Sequence, residues 1–187
     1  MRIPIGISNR HIHLSVLDGE KLFGAGYELK KLKDLSQPGQ FAAEECVSIK
    51  GPKGQIDGVR ILWPWRKMSQ VELLVADTFK LGMKAPIKLS GHLQDTPGIE
   101  VVGPQWSIFL QQGVIVAKRH LHITVAEAKD FGVVDGQIIS VKVAGERGLI
   151  FDNVVVRATD DSALDMHIDT EEANAAGLWM GAWGEIV

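Results

Sequence analysis

A chain of 187 residues can bury a core as one domain or two small ones, and 45% apolar with 23% charged residues is the balance of an ordinary soluble globular protein. A net charge of −3 gives no reason to expect nucleic acid or an anionic membrane surface, and no apolar run approaches membrane-spanning length. The single cysteine, Cys46, excludes an internal disulfide, suits the cytoplasm, and reads as a buried apolar-like side chain because no local signature marks it as a nucleophile.

In chain order, Met1-Arg2-Ile3-Pro4 lacks the apolar core of a signal peptide and starts a strand over about 1–9. Arg10-His11-Ile12-His13 follows, and it returns as Arg119-His120-Leu121-His122. On a strand, residues two apart point to one face, so each His-x-His pair forms a two-toothed clamp. Shuffling this composition would give only about 0.2 such pairs, so two copies, each preceded by Arg, call for a chemical reason. Neutral imidazole is the commonest metal ligand, and the reason offered is metal binding. Ser15 with Asp18, and Thr124 with Glu127, predict capping boxes that open a short helix just past each clamp. A fainter copy is His167-Ile168-Asp169-Thr170, followed by Glu171 and Glu172. The repeat implies two similar β units. Between the copies, Val47–Lys50 and Gln55–Leu62 flank the turn Gly51-Pro52-Lys53-Gly54. Further strands are predicted at 71–76, 86–90, 99–102, 106–110, 113–118, 137–143, 148–157 and 184–187. Abundant glycine beside β-branched runs suits a barrel or sandwich with tight corners.

Catalytic metals usually take three protein ligands and keep one position open, so two clamps suggest two ions and about two more ligands. His167 fits one vacancy by its context, with His92 in Ser90-Gly91-His92-Leu93 as rival. Glu72, a lone acid in an apolar run, fits the other; the plainer reading is an outward position of an amphipathic strand. Arg66, in Trp63-Pro64-Trp65-Arg66-Lys67, suits bidentate phosphate or carboxylate contact, against the plainer reading of a surface cation. No P-loop, dinucleotide glycine pattern or Gly-x-Ser-x-Gly elbow occurs.

Ser8-Asn9-Arg10-His11-Ile12-His13-Leu14-Ser15, Met68-Ser69-Gln70-Val71-Glu72 and Arg119-His120-Leu121-His122 resemble the motifs of the PduL-type phosphate acyltransferases (phosphotransacylases) in order and spacing. The resemblance runs from about residue 3 to residue 187. It implies a mainly β fold of two tandem β-barrels capped by short α-helices, with strand exchange between the halves. Residues 1–9 and 118–187 would form one barrel and 10–117 the other, with an inserted helical and loop segment and the active site between them. It implies two zinc ions, one on His11, His13 and Glu72 and one on His120, His122 and His167. Arg66 matches the family's phosphate-binding arginine, and Ser8, Lys33, Arg60, Leu62 and Asn174 fall where the family contacts coenzyme A. The implied reaction is reversible transfer of a short acyl group, acetyl or propanoyl, between coenzyme A and inorganic phosphate. Acyl-CoA and phosphate are then the partners, with no nucleic acid or membrane and with room for a homo-oligomer. Microcompartment-packaged members carry an amphipathic extension ahead of the first strand, which here begins almost at Met1, so a bacterial cytoplasmic location is expected, with a microcompartment lumen only if such an extension was removed. Two other readings use the same donors. A cupin-like dioxygenase or isomerase would recruit Glu127, and a binuclear hydrolase would use water as nucleophile. A non-catalytic barrel with structural zinc is disfavoured, because such sites prefer cysteine.

Overall fold

The computed structural model describes residues 2–187; Met1, which belongs to the strand expected over about 1–9, lies outside the described residues. In chain order the elements are β1 Arg2–Ser8, β2 His11–His13, α1 Val16–Phe23, β3 Lys31–Asp34, β4 Phe41–Lys50, β5 Gln55–Trp63, β6 Gln70–Leu73 and α2 Val75–Leu81. There follow β7 Ile87–Lys88, β8 Ile99–Val102, β9 Ser107–Leu110, β10 Val114–Ala117, β11 His120–Ile123, α3 Val125–Phe131, β12 Ile138–Val143, β13 Leu149–Ala158, β14 Asp165–Asp169, α4 Thr170–Ala176 and β15 Trp183–Ile186. The fold is mainly β with short helices, as the sequence predicts. None of the helices is long and apolar enough to cross a membrane.

The chain divides into two compact units. One comprises the described residues up to Asn9, Ser36–Pro38 and Lys118–Val187; the other comprises Arg10–Leu35 and Gly39–Ala117. Each has its own core. Ile3, Leu121, Val141, Val156 and Met166 lie at the centre of the first, and Ile12, Leu22, Ile49, Ile61 and Val101 at that of the second. Fully burying each such side chain contributes about 1.5–3 kcal/mol.

The first unit is a closed barrel in the order β1-β14-β11-β13-β12-β15. The N-terminal strand completes it, pairing in parallel with β14 and antiparallel with β15. Gly184 lies in β15 at this seam, where an added Cβ would stand 2.5 Å from Val141 Cγ1. In the second unit the path β10-β6-β2-β5-β4-β8 repeats both the order and the pairing sense. Its β10/β6 and β2/β5 pairs are parallel and its β6/β2, β5/β4 and β4/β8 pairs antiparallel. The matching pairs in the first unit are β1/β14 and β11/β13, parallel, and β14/β11, β13/β12 and β12/β15, antiparallel. The second copy stays a curled, open sheet. β7 adds to β10 and β9 adds to β8, so the counterparts of the two strands that meet at the seam of the first unit carry extra neighbours instead.

The helices occupy matching places, α1 after β2 and α3 after β11, α2 after β6 and α4 after β14. Thr124 and Glu127 form the capping box expected at α3, and Asp169 with Glu172 forms one at α4. At α1 the box is incomplete. Ser15 caps Asp18 N–H, but the Ser15 N–H donates to Ser69 Oγ, whose hydroxyl donates to Asp18 Oδ2. The expected strand 71–76 is corrected, because β6 stops at Leu73 and helix α2 starts at Val75. Leu74 has no side-chain cap to offer; Asp77 takes its backbone N–H at 3.0 Å and supplies the missing signal from the third helical position. Cys46 is half-buried in β4 rather than fully buried, a free thiol among the described residues.

Candidate functional site

Strand alternation sets the donors. On β2, Ile12 is fully buried in the core, so His11 and His13 turn together to the opposite face, with ring centroids 5.1 Å apart. On β11, Leu121 is fully buried and His120 and His122 share the other face at 4.7 Å. A slip of one residue would exchange imidazoles for core side chains, so the hydrophobic register also fixes the clamps.

The antiparallel neighbour of each clamp adds a third donor. His11 lies opposite Glu72 and His13 opposite Gln70; His120 lies opposite His167 and His122 opposite Asp165. Glu72 Oε2 is 3.4 Å from His11 Nε2, and Glu72 Oε1 is 4.0 Å from His13 Nε2. The His167 ring stands 5.1 Å from His120 and 4.8 Å from His122. In each trio the ligand atoms lie within 4.8 Å of one another. On all four donor strands the last donor lies two residues before an N-cap, in His13-Leu14-Ser15, Glu72-Leu73-Leu74, His122-Ile123-Thr124 and His167-Ile168-Asp169. His92, the rival ligand, is exposed on a turn and belongs to neither trio.

The electrostatics suit a cation. Burial, then the neighbouring His11, pushes the His13 pKa down to about 3, with Glu72 pulling the other way and Arg66 adding to the fall. Its Nδ1 is buried and makes no hydrogen bond of normal geometry. Burial, then His120 and His167, lowers His122 to about 2. Both rings are therefore neutral at pH 7, the protonation state that a metal requires. The His120 Nδ1 donates to the Lys118 carbonyl at 2.9 Å, which leaves its Nε2 as a lone-pair donor, 3.0 Å from His122 Nε2. Two imidazoles with a carboxylate, and three imidazoles, fit zinc and similar divalent ions.

These shifts also fix how acid acts on the metal-free chain. Unfolded histidines titrate near 6.5, whereas His13 and His122 resist protonation to about 3 and about 2 when folded. The unfolded state thus binds more protons below 6.5, and stability falls as pH drops through that window. Urea midpoints of EDTA-treated protein should hardly change between pH 8 and 7 and should fall from pH 6 to 5. A flat profile down to pH 5 would contradict the neutral-imidazole assignment.

Arg66 is fastened to the second unit's clamp by its backbone. Its N–H donates to the Leu14 carbonyl at 2.8 Å and it bridges in parallel to Ser15. Arg10 and Arg119, which precede the clamps, each bind the acid at the third position of the helix after the partner strand. Arg10 Nε is 2.8 Å from Asp77 Oδ2, and Arg119 Nε bonds Glu172 Oε1. Of the residues expected at coenzyme A, Lys33, Arg60 and Leu62 lie in the second unit, on β3 and β5, and Ser8 and Asn174 in the first, on β1 and α4. Arg60 lies beside His11 in the β2/β5 pair and spends Nη1 on the carbonyls of Ala43 and Glu44. Ser8 Oγ donates to Ile168 O at 3.3 Å, while Lys33 and Asn174 are exposed. A separate cavity of about 650 Å³ in the second unit, lined by Phe23, Tyr27, Cys46 and Gln105 among others, includes none of the donors.

Sequence reasoning missed two polar residues of these faces, Gln70 and Asp165, and a cation, Arg157, which pairs with His122 across β11/β13. Gln70 and Asp165 each precede a third donor by two, the spacing that puts both on one strand face. Glu127, which a cupin-like set would recruit, is committed to its cap, Oε2 accepting from Thr124 N–H at 3.0 Å and from its hydroxyl at 2.7 Å.

Comparison with known proteins adds an independent line. A family model described as phosphate propanoyltransferase matches residues 4–179. The phosphate propanoyltransferase of Thermotoga maritima is 52% identical over 180 residues, 96% of this chain and 86% of the relative. That of Salmonella typhimurium is 51% identical over 176 residues, 94% of this chain and 83% of the relative. That of Clostridioides difficile is 49% identical over 185 residues, 99% and 88% respectively.

Proposed function

The chain belongs to the phosphate propanoyltransferase family, and from that premise we propose that it catalyses acyl-CoA plus phosphate to acyl phosphate plus free coenzyme A, reversibly, with a short acyl group such as propanoyl or acetyl. The observation that carries the reading in this chain is the duplicated donor set, His11, His13 and Glu72 on one sheet and His120, His122 and His167 on its counterpart. These residues would hold two divalent ions, with zinc the best match to the ligands. When bound, such ions supply Lewis-acid polarisation of a carbonyl and stabilisation of a thiolate.

The chain's own groups account for the rest. A phosphate oxygen attacks the thioester carbonyl carbon, the new C–O bond forms, the C–S bond breaks, and the electron pair leaves on sulfur. Arg66, with its fixed fork of donors, binds the phosphate dianion and holds it in attack geometry. Lys33, Arg60, Leu62, Ser8 and Asn174 would hold coenzyme A, the cations meeting its phosphates. Direct attack is proposed over an acyl-enzyme: Ser36 Oγ lies 3.3 Å from His167 Nε2, but that ring is assigned to a metal centre rather than to a general base.

The test is release of free thiol from propanoyl-CoA with and without phosphate, before and after chelation. Release should require phosphate, vanish with EDTA and return with zinc. Thiol release at the same rate without phosphate would transfer the chain to the hydrolase reading.

A further inference from the structure

We infer that Gln70 and Asp165 are equivalent positioning residues, each orienting the third donor of its metal centre and setting that centre's affinity; this rests on the two-centre reading above. Both occupy the same place in the two copies, opposite the second clamp histidine and two residues before the third donor. Both are buried, Gln70 at 3% and Asp165 at 5% exposure. Each makes a direct hydrogen bond to that donor, at 2.6 Å from Gln70 Nε2 to Glu72 Oε1 and at 3.0 Å between His167 Nε2 and Asp165 Oδ2.

The chemistry differs because the donors differ. The Gly91 N–H can only donate, and it donates to Gln70 Oε1 at 2.7 Å, so the amide NH2 must face Glu72. The same NH2 donates to Ser90 Oγ at 2.8 Å, which fixes the side chain from both ends. Glu72 Oε1 is thereby pinned, and Oε2 is left toward His11. In the other copy the third donor is an imidazole, and the required partner is an acceptor. Asp165 Oδ2 accepts a hydrogen bond from His167 Nε2, which leaves Nδ1 as the lone-pair donor. Ser36 Oγ also lies 3.3 Å from that Nε2. The chain makes room for Asp165 with Gly6, where a Cβ would stand 2.6 Å from Asp165 Oδ2 and 2.8 Å from His167 Cδ2. The two copies thus exchange roles, a carboxylate ligand oriented by an amide in one and an imidazole ligand oriented by a carboxylate in the other.

The experiment uses full-length protein stripped with EDTA and titrated with zinc against a chromophoric chelator, and separately with cobalt to record the visible spectrum. Gln70→Met and Asp165→Asn should each weaken one of the two zinc sites by about 10–100-fold, leave the other unchanged, and alter the cobalt spectrum. Asp165→Asn keeps a neutral acceptor, so Asp165→Leu should fall further. Gly6→Ala would press on both Asp165 and the His167 ring, so it should disturb the same centre and leave the other unchanged. A residue that serves packing alone would lower the melting temperature of the metal-free protein and leave zinc affinity and the cobalt spectrum as they were; that result overturns the inference. Should Gln70→Met not fold, the Asp165 series decides the matter. Wild-type protein that binds no zinc would overturn the two-centre reading itself, a different outcome from variants that bind it equally well.

Discussion

His120→Ala will lower bound divalent metal from about two ions per chain to about one and reduce phosphate-dependent thiol release by on the order of 10³-fold, the equivalent of several kcal/mol of lost electrostatic stabilisation. The expectation follows from the crowding of the trio, with His120 Nε2 3.0 Å from His122 Nε2 and the His167 ring 5.1 Å away. Two remaining imidazoles seldom hold an ion alone. His11→Ala should do the same to the other centre. Because the proposed ions would bind the folded chain, each substitution should also lower the melting temperature in zinc and leave it less affected in EDTA. His92→Ala is the control, since His92 is exposed and outside both trios. Metal analysis and thiol release on the same preparations check the prediction. Full activity in a His120→Ala protein holding one ion would show that this centre does not serve the reaction.

The parts of the centres that were legible in sequence are those fixed by local geometry. The period of two, with Ile12 and Leu121 between histidines, gives the clamps directly. Thr124 with Glu127 announces α3 through a box made within four residues. What escaped depends on partners distant in sequence. The pairing of β2 with β6 and of β11 with β14 decides which acid or histidine completes each trio, and periodicity says nothing of that register; the context His167-Ile168-Asp169 favours His167 and leaves His92 as a rival, and only the family resemblance chooses between them. The start of α2 was hidden because Leu74 stands where a capping side chain would normally signal a helix. Closure was also unreadable. Six strands of identical order form a barrel in one unit and an open sheet in the other, and the difference lies in which strands β10 and β8 meet at the seam.

Arg66→Ala should slow phosphate-dependent thioester cleavage by on the order of 10²-fold or more, the loss seen when one preorganised donor to a developing charge is removed. Arg66 follows from its neighbours as much as from its charge. Its backbone N–H is tied to the Leu14 carbonyl, one residue beyond His13, and its charge contributes to lowering the His13 pKa. In the proposed reaction, a guanidinium within electrostatic reach of a candidate metal-binding imidazole is suited to the phosphate dianion that would attack the thioester. Metal content should be unchanged, because Arg66 is not a donor in either trio. Arg66→Lys keeps the charge and loses the planar fork, so it should remain clearly impaired, with KM for phosphate raised more than KM for propanoyl-CoA. If the arginine acted only by bracing the strand, the lysine variant would recover most of the activity and the phosphate KM would not move. If cleavage continued without phosphate and ignored Arg66→Ala, water would be the nucleophile, and the same two centres would belong to a hydrolase.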